Sequence, residues 1–227
     1  MKTLGIIGGT SWHATIEYYR AINEGVSRAI GTQGNPPLII YSVNIEVMRS
    51  RDEERIVKHY REVAHKLADA GAEALLIAAN TPHLVYEHLR EELEIPFLHI
   101  ADATGREAQR LQLEKLGLLG NKPTMTGHFI AGKLEQDYGL DILRPEKQGI
   151  ERSHHYVSQE LTQGYFTDEA RDYYRKEIRR LQERGAQGVI LGCTELPILL
   201  REEKLELPLL STTDLHAQYA IEFILDN

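Results

Sequence analysis

The chain repeats itself, and that repetition limits the folds open to it more than any other feature. Gly185-Ala-Gln-Gly-Val-Ile-Leu-Gly-Cys-Thr-Glu-Leu-Pro197 runs parallel to Gly71-Ala-Glu-Ala-Leu-Leu-Ile-Ala-Ala-Asn-Thr-Pro-His83 at a spacing of 114 residues (193 − 79). Two further echoes keep the same order at a spacing of 112. Leu4-Gly-Ile-Ile-Gly8 answers Leu116-Gly-Leu-Leu-Gly120, and Ile95-Pro-Phe-Leu98 answers Leu207-Pro-Leu-Leu210. Repetition at this length implies a duplicated supersecondary unit, with paired motifs expected to face each other across a cleft. Cys193 falls opposite Ala79: one motif carries a thiol, the other a methyl group.

A chain of 227 residues accommodates two such halves of roughly 110 residues each, enough for a core in each. Apolar runs of strand length alternate with amphipathic stretches. Strands are expected at 3–7, 38–43, 74–78, 97–99, 115–119, 141–143, 188–191 and 209–210. Their continuous apolar character suits strands covered on both faces of a parallel sheet. Helices are expected at 15–28, 53–70, 84–93, 104–112, 126–138, 153–161, 167–184 and 214–225, with Gly71, Gly139 and Gly185 as stops. The alternation reads as βαβ units, hence an α/β fold of two pseudo-symmetric Rossmann-like lobes with parallel sheets and an active-site cleft between them. The first lobe would take 1–98 plus 213–227 and the second 99–212, the last helix returning to the first lobe.

A net charge of −8 and the lack of any basic run argue against nucleic acid as a partner. No stretch approaches the ~20 apolar residues of a membrane span, and the N-terminal apolar run is too short for a secretory signal. Cys193 is the only cysteine, so no internal disulfide can form, which fits a reducing, cytoplasmic setting. An acidic ligand would have to be met by local positive charge from helix N-termini and a few arginines.

Parallel α/β sheets bind ligands beyond the carboxyl ends of their strands. Four turns lie there: residues 8–12, 79–83, 120–124 and 193–195. None has the glycine spacing of a nucleotide-binding fingerprint. At a helix start the Cys193 thiol is expected to ionise more readily than an ordinary cysteine and so to serve as a carbon base; the plainer reading is a small buried apolar residue. Asn80, Thr81, Thr124 and Thr194 offer short polar groups to a ligand, although helix capping alone would account for any one of them. His83 is either a second acid–base group or a local hydrogen bonder. Trp12 walls the cleft or packs beneath it. Arg49 and Arg51 are the economical partners for a distal carboxylate, or else part of a solvated helix start. The histidines lack metal-site spacing, so no metal is expected.

Taken together, Gly5-Ile-Ile-Gly-Gly-Thr-Ser-Trp12, Tyr18-Tyr-Arg20, Ala79-Asn-Thr-Pro-His83, Ile95-Pro-Phe-Leu-His-Ile-Ala-Asp-Ala-Thr104 and Gly192-Cys-Thr-Glu195 resemble the aspartate/glutamate racemase family over essentially the whole chain. The resemblance implies a soluble enzyme, often a homodimer, that works on an acidic amino acid without pyridoxal phosphate or any other cofactor. It also implies two thiols flanking the substrate Cα, one removing and one returning a proton. Cys193 takes one of those roles, whereas Ala79 stands where the other cysteine is usual and has no proton to give. Asn80, Thr81, Thr124 and Thr194 match substrate-holding positions. Thr10 stands where methionine often continues the glycine turn, and Asn121 where threonine is common.

Three functions follow. The first is a racemase of aspartate or glutamate in which Cys193 serves one face of the substrate and Thr81, His83 or water serves the other. The second is a single-thiol decarboxylase-like enzyme. The third is a non-catalytic or inactivated ligand-binding member of the family.

Overall fold

The computed structural model describes residues 1–201, 203 and 205–226. It divides into two compact units, Met1–Ile100 with Thr213–Asn227, and Ala101–Thr212. Each unit is built on a four-stranded, wholly parallel sheet.

In the first unit β1 (Leu4–Gly8), β2 (Leu38–Ser42), β3 (Ala74–Ile77) and β4 (Phe97–Leu98) lie in the order β2-β1-β3-β4. The connecting helices are α1 (Trp12–Ile30), α2 (Glu46–Arg49), α3 (Glu53–Asp69) and, after a 3-10 turn over Thr81–Val85, α4 (Tyr86–Leu89). In the second unit β5 (Lys115–Gly120), β6 (Asp141–Leu143), β7 (Gly188–Gly192) and β8 (Leu209–Ser211) lie in the order β6-β5-β7-β8. This is the same pattern one repeat later. Its helices are α5 (Ile100–Arg110), α6 (Lys122–Thr126), α7 (His128–Tyr138), α8 (Lys147–His155), α9 (Asp168–Glu183) and α10 (Leu196–Leu199), and α11 (Thr212–Leu225) completes the chain.

Every residue of β1, β3 and β7 is buried, the signature of strands covered on both faces. In the first unit, α3 lays Ile56, Tyr60, Val63, Ala64 and Leu67 on one face of the sheet against Ile7, Leu75 and Ile77. On the opposite face Tyr18, Ile22 and Val26 of α1 and Ala217, Ala220, Ile221 and Ile224 of α11 meet Leu4, Ile6 and Leu76. Each large side chain buried in this way contributes about 1.5–3 kcal/mol. The second unit has its own core, where Tyr174, Ile178 and Leu181 of α9 pack on Leu119, Val189 and Leu191.

All eight expected strands form, within a residue or two at their ends. The helices differ more. The short helices α2, α6 and α10 span only four or five residues, too few to show a periodicity in sequence. α1 starts three residues earlier than expected, because the Ser11 hydroxyl oxygen accepts from Ala14 N at 3.2 Å and caps it at Trp12. The helix expected at 84–93 is a 3-10 turn followed by the single turn of α4. The helix expected at 153–161 begins at Lys147, widens to a π turn over Tyr156–Glu160 and ends as a 3-10 turn. Among the described residues, no helix is long and apolar enough to cross a membrane.

Candidate active site

The carboxyl edge of the first sheet begins where β1 runs into Gly8-Gly9. Gly9 has φ +88, and a Cβ there would collide with the Val43 carbonyl, so only glycine fits this approach of two strand ends. Thr10 follows, its hydroxyl 2.5 Å from that of Tyr60. Burial pushes the Tyr60 phenol up to about 12, so it remains protonated. Trp12 neither packs beneath the turn nor joins the core: it is 60% exposed, its ring 3.5 Å from that of His13. Arg49, the last residue of α2, is exposed and forms no ion pair among the described residues.

At the end of β3 the chain turns through residues 79–83. Asn80 heads the 3-10 turn, but its side chain makes no capping hydrogen bond. It is only 7% exposed, and its Oδ1 has no partner. Capping therefore does not explain this asparagine, whose buried carbonyl oxygen is left free to accept a hydrogen bond. Thr81 is half-buried beside it. His83 is buried: its Nδ1–H donates to the carbonyls of Ala79 (2.8 Å) and Asn80 (3.3 Å), and its Nε2 accepts from Ile100 N (3.3 Å). Burial pulls its pKa down to about 4, outweighing the two carbonyl contacts, so the ring is neutral near pH 7.

In the second unit the corresponding edge gathers Gly120, Thr124, Gly192 and Cys193. Asn121 caps α6, its Oδ1 accepting from Thr124 N at 2.9 Å. A Cβ on Gly192 would stand 2.8 Å from the Thr124 methyl and one on Gly120 2.9 Å from the Gly192 carbonyl, so the glycines let Thr124 settle against both strand ends. Thr124 is fully buried and its Oγ1 has no partner. Beneath, the Ser153 hydroxyl donates to the Gly120 carbonyl at 2.7 Å and lies 2.9 Å from that of Tyr174.

Cys193 is 8% exposed, and its thiol donates to Glu195 Oε2 at 2.7 Å; the Thr194 hydroxyl donates to the same oxygen at 2.8 Å. This corrects the expectation of a readily ionised thiol. Burial, then the charge of Glu195 and its hydrogen bond, hold the Cys193 pKa well above the ordinary thiol value. The N–H groups of Glu195 and Leu196 pull the other way and lose, and α10 is a single turn with little dipole to offer. Glu195 was not singled out in the sequence, although a carboxylate two residues after the thiol was the available signal. Among the described residues no group of three or more His, Cys, Asp or Glu side chains is arranged to hold a metal ion.

Two parallel α/β units of identical strand order, with polar turns at their carboxyl edges and one thiol hydrogen-bonded to a carboxylate, define a duplicated Rossmann-like class. Within it, the chain belongs to the Asp/Glu/Hydantoin racemase family, whose profile matches residues 7–220. A candidate Asp/Glu racemase from Yersinia pestis superposes with a TM-score of 0.94 at 34% identity over 100% of both chains. An aspartate racemase homologue from Pyrococcus horikoshii OT3 gives 0.86 at 33% identity over 99% of each. The broad specificity amino-acid racemase RacX of Bacillus subtilis is 21% identical over 92% of both chains. The glutamate racemase of Aquifex pyrophilus is 26% identical over 156 residues, 68% of this chain but only 58% of its own length.

Proposed function

We propose that this chain is a cofactor-independent isomerase that moves the α-proton of aspartate or glutamate, with Cys193 exchanging the proton and Glu195 governing the state of the thiol. The contact that carries the reading is the 2.7 Å hydrogen bond from Cys193 Sγ to Glu195 Oε2. Family membership supports an acidic amino acid as the substrate class.

The chemistry starts from a protonated thiol. To act as base, Cys193 passes its proton to Glu195, and the thiolate then takes the proton from the substrate Cα. To act as acid, the thiol delivers its proton to the carbanion and Glu195 supports the thiolate's recharging. General acid–base groups of this kind contribute typically 10²–10⁴-fold. Residue 79 supplies nothing, so the opposite proton comes from water or the Thr81 hydroxyl; both His83 nitrogens are already hydrogen-bonded. Asn80 and Thr124 bring their unpartnered oxygens to the substrate's polar groups, with Thr10, Thr81 and Thr194 as further contacts. Arg49 is the cation for the distal carboxylate.

A second reading rests on the same thiol. Because Cys193 rests protonated, it is already equipped to give one proton to the carbanion left by loss of CO₂, and such a decarboxylation needs only one thiol.

Incubating L-aspartate and L-glutamate with the protein in D₂O, followed by proton NMR and chiral analysis, tests both. Deuterium at Cα with inversion is the expected result. Exchange with retention would mean that Cys193 works one face alone. Failure to exchange either substrate would sink the racemase reading and leave the single-thiol decarboxylase or the non-catalytic binder.

A further inference from the structure

We propose that His83 is a positioning residue that fixes the Ala79–Asn80 peptide and so aims the Asn80 side-chain amide at substrate; this rests on the substrate-binding role given to Asn80 above. The partners of the ring determine its state. Carbonyl oxygens only accept, so the Nδ1 facing Ala79 O (2.8 Å) and Asn80 O (3.3 Å) carries the hydrogen. A backbone N–H only donates, so the Nε2 facing Ile100 N (3.3 Å) is bare. A neutral imidazole has one donor and one acceptor, and here both are used on the backbone.

The same ring thus links the turn after β3 to the first residue of α5. The Asn80 carbonyl is held twice by one residue, since it also accepts from His83 N at 3.1 Å. With the peptides on both sides of Asn80 pinned, its side chain is anchored at the base, and its buried Oδ1 has no partner. A neighbouring histidine supports the ring and is itself immobilised. His216 stands with its centroid 5.5 Å away, donating from Nε2 to the Leu98 carbonyl at 2.8 Å and accepting from the Tyr18 hydroxyl at 2.9 Å. His99 lies 4.6 Å away and Phe97 6.0 Å away, both edge-on. A polar group displaced by about 1 Å can cost ~10² in rate, so a rigid peptide at this position has a direct kinetic consequence.

Two substitutions separate the two nitrogens. His83→Asn keeps a donor where Nδ1–H stood and gives up the contact to Ile100; His83→Gln reaches Ile100 and gives up the donor. We expect His83→Gln to raise KM for the acidic amino acid about tenfold, the weight of one or two hydrogen bonds, and His83→Asn to recover most of that loss. In an Asn80→Ala background, His83→Gln should add less than about twofold, because the group it positions is gone. Nitrogen NMR should show the Nδ1–H tautomer unchanged by substrate. Equal collapse of kcat in both variants with KM unmoved would show an acid–base residue and overturn the proposal. Full additivity with Asn80→Ala, following the loss in Tm, would overturn it in favour of a purely structural role. If the wild-type protein exchanges no α-proton, the racemase reading fails alone, and the same variants are compared by L-aspartate affinity in calorimetry. Absence of binding by the wild type would overturn both.

Discussion

Cys193 and Glu195 share a proton line: the thiol donates to Glu195 Oε2 at 2.7 Å, and the Thr194 hydroxyl reaches the same oxygen at 2.8 Å. The carboxylate raises the thiol pKa, but burial raises it more. Glu195→Gln should therefore lower the thiol pKa without returning it to the ordinary value. Because Cys193 is the only cysteine, the pH dependence of alkylation by iodoacetamide reads this one group. A midpoint in the variant equal to or above that of the wild type would remove Glu195 from the account. Turnover should fall in parallel by ~10²-fold, within the usual range for one acid–base partner.

Thr124 tests substrate holding from the opposite direction. Its Oγ1 is buried and unpartnered while its methyl fills the space beside Gly120 and Gly192. Thr124→Val keeps the shape and removes an unsatisfied hydroxyl, so stability should hold or rise. The KM for aspartate or glutamate should increase about fivefold or more, the cost of one hydrogen bond. Urea unfolding and steady-state kinetics on one preparation distinguish the effects: a loss of stability with unchanged KM would mean that the hydroxyl serves the fold.

Under the proposed chemistry, Cys193 and Ala79 decide how many thiols serve the substrate. Cys193→Ser should abolish turnover yet change ligand affinity by no more than about tenfold, since it alters one weak hydrogen bond. Ala79→Cys should raise racemisation by at least about tenfold if a second acid–base group is the missing element. A Cys193→Ser protein with its full rate would end the thiol assignment. An Ala79→Cys protein with no gain would shift the balance to the single-thiol reaction.

The strands were legible because their apolar runs have no polar interruption, as in β3 and β7, where every side chain is buried. The repeat made the carboxyl-edge turns legible too, since Asn80 and Cys193 follow equivalent strands. The state of Cys193 was not legible. A helix start suggested an ionised thiol, but the helix proved to be one turn, and the side chain of Glu195 folds back onto the sulfur. Nothing in the order Cys-Thr-Glu specifies that rotamer. His83 posed a similar problem: only the turn after Asn80 shows that its ring reaches back four residues to the Ala79 carbonyl.

Burial of two neutral histidines makes stability depend on pH in a defined window. His83 is lowered from 6.5 to about 4 and His216 from 6.5 to about 3, both mainly by burial. Unfolding releases them to titrate normally, so below 6.5 the unfolded chain binds protons that the folded chain refuses. The stabilisation is complete above 6.5 and is lost as pH falls toward 4 and then 3. Near pH 5 the unfolded state carries up to two extra protons, giving a slope of about 2.7 kcal/mol per pH unit. Urea unfolding at intervals from pH 7.5 to 4.5 should show this fall. Carboxylates titrate in the lower part of the range, so the decisive comparison is with His216→Gln. That variant should be less stable at neutral pH, where it loses the bonds to Tyr18 and Leu98, yet its slope near pH 5 should be smaller by about 1.4 kcal/mol per pH unit, the share of one proton. A slope equal to that of the wild type would mean that His216 is not the neutral, proton-refusing ring that its burial and its two partners make it.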